Sequence, residues 1–102
     1  TLAGIDSAKP EANLAAYGAA KAGLASLAAS IAAHEAQHGV TCNMIAPGLL
    51  HNASQAEVER YGVPAKRRAR SDELCAAVRY LLSDQASQVT GTSVPLSGGW
   101  RL

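Results

Sequence analysis

Phenylalanine is absent from the 102 residues, and the only large aromatics are three tyrosines and one tryptophan. Such side chains usually carry much of a small domain's burial. A self-contained fold of this length hides only about 60–68% of its extended-chain surface. A chain so poor in aromatics therefore has a thin core, and is expected to complete it against something else. Cysteine is also scarce: Cys42 and Cys75 are too few for a disulfide scaffold and point to a reduced, cytoplasmic setting. Neither sign of charge dominates. Nine Lys and Arg against eight Asp and Glu leave a net +1, so no global field directs the chain to nucleic acid or to a membrane. No apolar run approaches the ~20 residues needed to cross a bilayer. The first residues lack the charged-then-apolar pattern of a secretory signal. What is present is an apolar fraction of 48% with 17% charge, a balance that argues against disorder.

The polar and proline-containing stretch from Thr1 to Leu14 reads as irregular, with Pro10 biasing Lys9 away from helical dihedrals. From Ala15 to His38 the abundance of Ala, Leu, Lys, Glu and Gln predicts one long helix, ended by Gly39. Leu24, Leu27, Ala28 and Ile31 mark one apolar face, and alanines fill nearly all the rest. A helix apolar on more than one side implies two partners, a sheet and a second subunit. Val40 to Ala46 reads as a strand covered on both faces, as in a parallel sheet, bounded by Gly39 and Pro47-Gly48. Ser54 is placed to cap a short helix over Gln55 to Arg60, with Glu57 at the capping-box position. A second clear helix begins at Ser71, with Ser71 or Asp72 as its cap and Leu74, Ala77, Val78, Leu81 and Leu82 as its apolar stripe, and ends near Ser83 or Asp84. Thr92 to Leu96 reads as a short strand in which Pro95 is awkward for a central position. Two strands do not make a stable sheet on their own, so either the chain dimerises or it is part of a larger α/β unit.

Four segments in register resemble the C-terminal half of a short-chain dehydrogenase/reductase, in particular the group containing 3-oxoacyl-carrier-protein reductases. They are Tyr17-Gly18-Ala19-Ala20-Lys21 with Ala22-Gly23-Leu24, Asn43-Met44-Ile45-Ala46-Pro47-Gly48, Val78-Arg79-Tyr80-Leu81-Leu82-Ser83-Asp84 with Ala86-Ser87, and Val89-Thr90-Gly91-Thr92 through Gly98-Gly99. A tyrosine and a lysine four apart carry little alone; the four segments together carry the assignment. The resemblance implies an α/β fold, the C-terminal portion of a doubly wound parallel-sheet Rossmann-type domain. Residues 1–102 would then be one part of a single oxidoreductase domain whose N-terminal, cofactor-binding half is absent. It also implies NAD or NADP as cofactor and a small-molecule carbonyl or alcohol as substrate. The glycine-rich turn that holds the pyrophosphate would come from an N-terminal half or a companion chain, so the chain alone is not expected to be a competent dehydrogenase.

The same resemblance assigns Tyr17 as the proton-transfer residue and Lys21 as its electrostatic partner and a ligand of the nicotinamide ribose. Residues four apart on a helix share a face, and a neighbouring ammonium favours the anionic form of a phenol. At the family's usual serine position this chain has Gly4. Thr1-Leu2-Ala3-Gly4 resembles the segment that starts at that serine, which makes Thr1 the candidate catalytic hydroxyl and Ser7 its competitor. Pro47 and Gly48 would border the nicotinamide. Where the family usually places a threonine against the carboxamide, Leu50, His51 and Asn52 stand instead, with Asn52 as the substitute donor. Asn43 is expected to bond loop backbone and hold the site indirectly. Trp100 and Leu102 are candidate anchors of a subunit interface.

Other readings of the same residues remain. The displaced hydroxyl and the missing threonine fit a non-catalytic relative that serves as an association or structural subunit. The basic run Lys66-Arg67-Arg68-Ala69-Arg70 reads as a solvated face before a helix, with an anionic substrate or nucleic acid as alternatives. His34, His38 and His51 with two distant cysteines match no structural metal spacing. A homo- or hetero-oligomer is expected, without a nucleic-acid or membrane partner.

Overall fold

The structure, a computed structural model, describes residues 15–100. Thr1, Ser7 and the irregular N-terminal segment, and Leu102 at the other end, lie outside the described residues. The elements run α1 (Ala15–Glu35), β1 (Met44–Pro47), α2 (Gln55–Arg60), α3 (Ser71–Leu81) and β2 (Ser93–Leu96). A 3-10 turn over Ala36–His38 continues α1, and Gly39 closes it with a left-handed φ of 73° and its N–H on the Ala36 carbonyl.

β1 and β2 pair in parallel, Met44 opposite Ser93 and Pro47 opposite Leu96. Met44 and Gly48 donate to the Thr92 and Leu96 carbonyls. Even-numbered residues of both strands thus face each other across the ladder, because successive backbone groups alternate sides. Pro95 therefore turns its donorless nitrogen to the outer edge of β2, where a proline costs no ladder bond. The opposite edge of β1, on which Ile45 presents its backbone, pairs with nothing among the described residues. Met44 and Ala46 face α1, while Ile45 and Pro47 on the reverse face are buried as well, the two-sided burial of a parallel sheet.

The predicted strand is trimmed at its start. Over Val40 to Asn43 the pairing is shared between backbone and side chains: the Gly91 N–H donates to the Cys42 carbonyl, Thr90 Oγ accepts from the Cys42 N–H, and Asn43 donates to the Val89 carbonyl at 2.7 Å and accepts from the Thr92 N–H. The strand also starts one residue later than expected at Thr92.

Ala28 and Ala32 are the buried residues of α1, Ala28 against Met44 with Ala25, Cys42 and Ala46 around it. Of the apolar face marked by the spacing, Ala28 meets the sheet while Leu27 is 55% exposed and Ile31 39%, about 100° round the helix from the buried alanines. Methyl-sized side chains let the helix approach closely, as at Ala32 and Gly91. α3 packs over β1 with only Leu74, Ala77 and Leu81 of its stripe turned inward; Val78 and Leu82 are exposed. It ends at Leu81, short of the expected Ser83, and its N-cap is Arg70 rather than Ser71 or Asp72. The Glu73 carboxylate accepts from the Arg70 N–H and performs the capping. At α2 the expected box is present, with Ser54 Oγ accepting from the Glu57 N–H and the Glu57 carboxylate accepting from the Ser54 N–H.

Lys66 sits at φ 59°, in the left-handed region, where a β-carbon costs about 1–2 kcal/mol. Lys66→Gly is expected to stabilise the folded protein by about 1 kcal/mol, read as a rise in the thermal unfolding midpoint.

Candidate active site

Tyr17 and Lys21 occupy the first turns of α1, and the Lys21 ammonium lies 5.5 Å from the centroid of the Tyr17 ring. A cation over an aromatic ring is attracted by about 0.5–1 kcal/mol at an exposed site. Tyr17 is 36% exposed and Lys21 half-buried, so the pair stays open to a ligand. The packing of α1 fixes where this pair stands. α1 runs antiparallel to β1 and touches it at Ala28 and Met44. Lys21 is seven residues back from Ala28, about 10 Å along the helix. Pro47 is three residues on from Met44, about 10 Å along the strand. A helix laid along the strand would therefore bring Lys21 level with Pro47 and Tyr17 a turn beyond the carboxyl end of β1. That end of a parallel strand is where open α/β sheets bind their ligands.

Pro47 is buried at the strand's end, and Gly48 follows with its N–H on the Leu96 carbonyl. A β-carbon on Gly48 would lie 3.0 Å from Ser97 Cα and 3.3 Å from Trp100 Cε3. Glycine is required here by close approach. Beyond it Leu50 accepts from the Ala53 N–H in a tight turn, half-buried, with His51 and Asn52 exposed on that turn and Ala53 buried beneath it. The structure brings Tyr17 and Lys21 together on α1, and Pro47, Gly48 and Leu50 together in the turn that ends β1. Thr1 lies outside the described residues.

The basic run before α3 is a clamp. Arg67 binds Glu73 through two bonds of 2.9 and 2.7 Å, Arg70 binds Asp72 at 2.9 and 3.0 Å, and Arg68 donates to the Ala53 carbonyl at 2.6 Å. Two of the four cations are thereby matched to carboxylates, and Arg68 ties the turn after β1 to the segment ahead of α3. The Arg67 side chain, followed by the Arg70 backbone N–H, holds the Glu73 carboxyl at about 2. No group of three or more His, Cys, Asp or Glu among the described residues is placed to hold a metal ion, and none of their helices is long and apolar enough to cross a membrane.

Trp100 is half-buried, its indole 5.5 Å from the Tyr61 ring at an interplanar angle of 52°, a contact that nothing in the spacing of the two residues marks.

The family model for enoyl-(acyl carrier protein) reductases matches residues 1–101. The chain belongs to the short-chain dehydrogenase/reductase family. It is 42% identical over 95 residues to a short-chain type dehydrogenase/reductase of Sinorhizobium fredii, covering 83% of this chain and 17% of that protein. It is 35% identical over 106 residues to the 3-oxoacyl-(acyl-carrier-protein) reductase FabG of Salmonella typhimurium, covering 97% of this chain and 43% of that one. Among solved structures, an NAD(P)-dependent gluconate 5-dehydrogenase from Beutenbergia cavernae with bound NADP superposes with a TM-score of 0.86 at 32% identity, over 98% of this chain and 44% of that one. The chain therefore has the Rossmann-like α/β fold of these short-chain dehydrogenase/reductases and spans less than half the length of the relatives it matches.

Two outcomes are expected. Gly48→Ala destabilises by about 1–3 kcal/mol, the cost of overpacking against backbone, measured by denaturant unfolding. The Glu73 carboxyl is lowered on folding from the 4.5 of an ordinary glutamate to about 2. Its contribution to stability is full above that ordinary value and is lost as pH falls toward the folded one. Glu73→Gln should flatten the acid limb of a stability-against-pH curve and leave its shape near neutrality unchanged.

Proposed function

We propose that this chain is the catalytic C-terminal segment of an NAD(P)-dependent oxidoreductase that interconverts a carbonyl and an alcohol. The single observation that carries the reading is the Lys21 ammonium 5.5 Å from the Tyr17 ring. The donors present fit a nicotinamide nucleoside. Lys21 would hold the ribose, with Pro47, Gly48, Leu50 and Asn52 along the nicotinamide. The nicotinamide, when bound, supplies or accepts the hydride. Tyr17 passes a proton to the substrate oxygen in reduction and takes it back in oxidation. The nearby ammonium stabilises the negative charge that the phenol oxygen carries in between. Thr1 is the hydroxyl that orients the substrate carbonyl.

The unpaired edge of β1 supports a further strand beside Ile45, and the dinucleotide's phosphates need a glycine-rich turn outside this segment. We therefore place residues 1–102 in one Rossmann-type domain that is competent only with an N-terminal half or companion chain. The names of the relatives favour a small 3-oxoacyl or sugar-acid substrate. Free thiols at Cys42 and Cys75 fit a reducing cytoplasm. The exposed Leu27 and Ile31 on α1 support a homo- or hetero-oligomer. They also favour the second reading, a non-catalytic association subunit.

The test uses the full-length or reconstituted protein with acetoacetyl-coenzyme A and a 5-keto sugar acid as probes, and follows nicotinamide absorbance. Tyr17→Phe should lower kcat about 100-fold or more while nucleotide binding is kept, and Lys21→Ala should weaken nucleotide binding as well. Carbonyl reduction undiminished in Tyr17→Phe would remove that residue from the chemistry and leave the association reading.

A further inference from the structure

The turn that follows β2 holds more of this molecule together than its four residues would suggest. The Gly98 carbonyl accepts from the Ala65 N–H at 3.0 Å. A β-carbon on Gly98, at φ 61°, would lie 2.8 Å from the Ala65 β-carbon, and one on Gly99 would lie 3.1 Å from Pro64. The backbone of this turn is thus pressed against the segment that leaves α2. Trp100 completes the contact from the other side. Its N–H donates to the Ser97 carbonyl, its indole meets the Tyr61 ring at the C-terminal cap of α2, and its Cε3 closes the space over Gly48. The Arg60 guanidinium lies over the outer side of the same pair, 5.8 Å from the Tyr61 centroid. One indole therefore touches both the turn that ends β1 and the far end of the helical segment that rises from it.

We propose that Trp100 is a positioning residue that clasps α2 to the Pro47–Gly48 turn and so fixes the wall of the substrate site. This rests on the reading of that turn as the border of the nicotinamide. α2 is only six residues long, too short to hold its own conformation in water. Of its residues only Val58 is buried. Tertiary anchors must set its position, and the tilted Tyr61–Trp100 pair is the aromatic one, in the offset geometry that ring quadrupoles favour. The start of α2 is tied by Arg68 on the Ala53 carbonyl and by the Ser54–Glu57 box, and the segment beyond it by the buried Val63 and the Ala65–Gly98 bond, so releasing the ring pair loosens the stretch between these anchors, around Arg60 and Tyr61.

The experiment reads position and chemistry separately in the full-length protein. Limited trypsin cleavage after Arg60 reports the α2 end, and cleavage after Arg79 in α3 is the control for global unfolding. Trp100→Ala should speed cleavage after Arg60 at least fivefold and leave Arg79 unchanged. Trp100→Phe should restore the parent rate within twofold, because a ring suffices. Trp100→Leu is the second variant should the alanine form fail to fold, and should behave as Trp100→Ala. The double variant with Tyr61→Ala should cleave no faster than Tyr61→Ala alone. With acetoacetyl-coenzyme A as probe, KM should rise at least fivefold while kcat changes less than twofold. Equal acceleration at both sites, additive effects of the two substitutions, or an unchanged rate after Arg60 would overturn the clasp. Failure of the catalytic reading is distinguishable: it would show as an inert Tyr17→Phe substitution, with the cleavage pattern still dependent on Trp100.

Discussion

The contact of Ala28 on Met44 sets the geometry of everything that follows. A helix and a strand advance at different rates per residue, so the seven helical residues from Ala28 back to Lys21 cover the same distance as three residues of strand. The methyl side chains of Ala25, Ala28 and Ala32 matter because they bring the helix close to the strand. A larger residue at Ala28 would lift α1 from the sheet and carry Tyr17 and Lys21 with it. The alanine richness of the chain, odd as composition, is the means of that approach.

The second organising feature is a set of ties between segments remote in sequence. Asn43 bridges the backbone at Val89 and Thr92, Arg68 reaches back to Ala53, and the turn after β2 packs on Gly48 and on the segment after α2. Asn43 ties the start of β1 to the segment ahead of β2, while Arg68 and the turn after β2 tie together the loops that follow β1 and α2. This suits a site whose substrate wall must be shaped independently of the sheet that carries it.

Much of this was legible in the sequence because its signals are local. The capping box at Ser54 and Glu57, the Gly39 stop and the helix from Ala15 depend on neighbours within a few residues. The Tyr17–Lys21 pair follows from helical spacing. What was not legible depended on tertiary partners. The start of β1 reads as alternation from Val40, but the pairing there mixes one backbone bond, the Gly91 N–H on the Cys42 carbonyl, with side-chain bonds at Thr90 and Asn43. Spacing marks Leu24, Leu27, Ala28 and Ile31 as one apolar face without saying which of them meets the sheet; Ala28 does, and Leu27 and Ile31 stay exposed. The cap of α3 moves to Arg70 because Glu73, engaged by Arg67, reaches back for it. Nothing local marks Tyr61 as a partner of Trp100.

The Pro95 ring interrupts the row of donors on the outer side of β2, so a stray strand meeting that side finds a gap where a bond should form. The side of β1 that carries Ile45 is interrupted in the same way, because Pro47 turns its own donorless nitrogen to that edge. Within β1 a neighbouring strand therefore finds a donor at Ile45 and none at Pro47, so any strand that extends the fold on that flank is bonded at Ile45 and released at the strand's end.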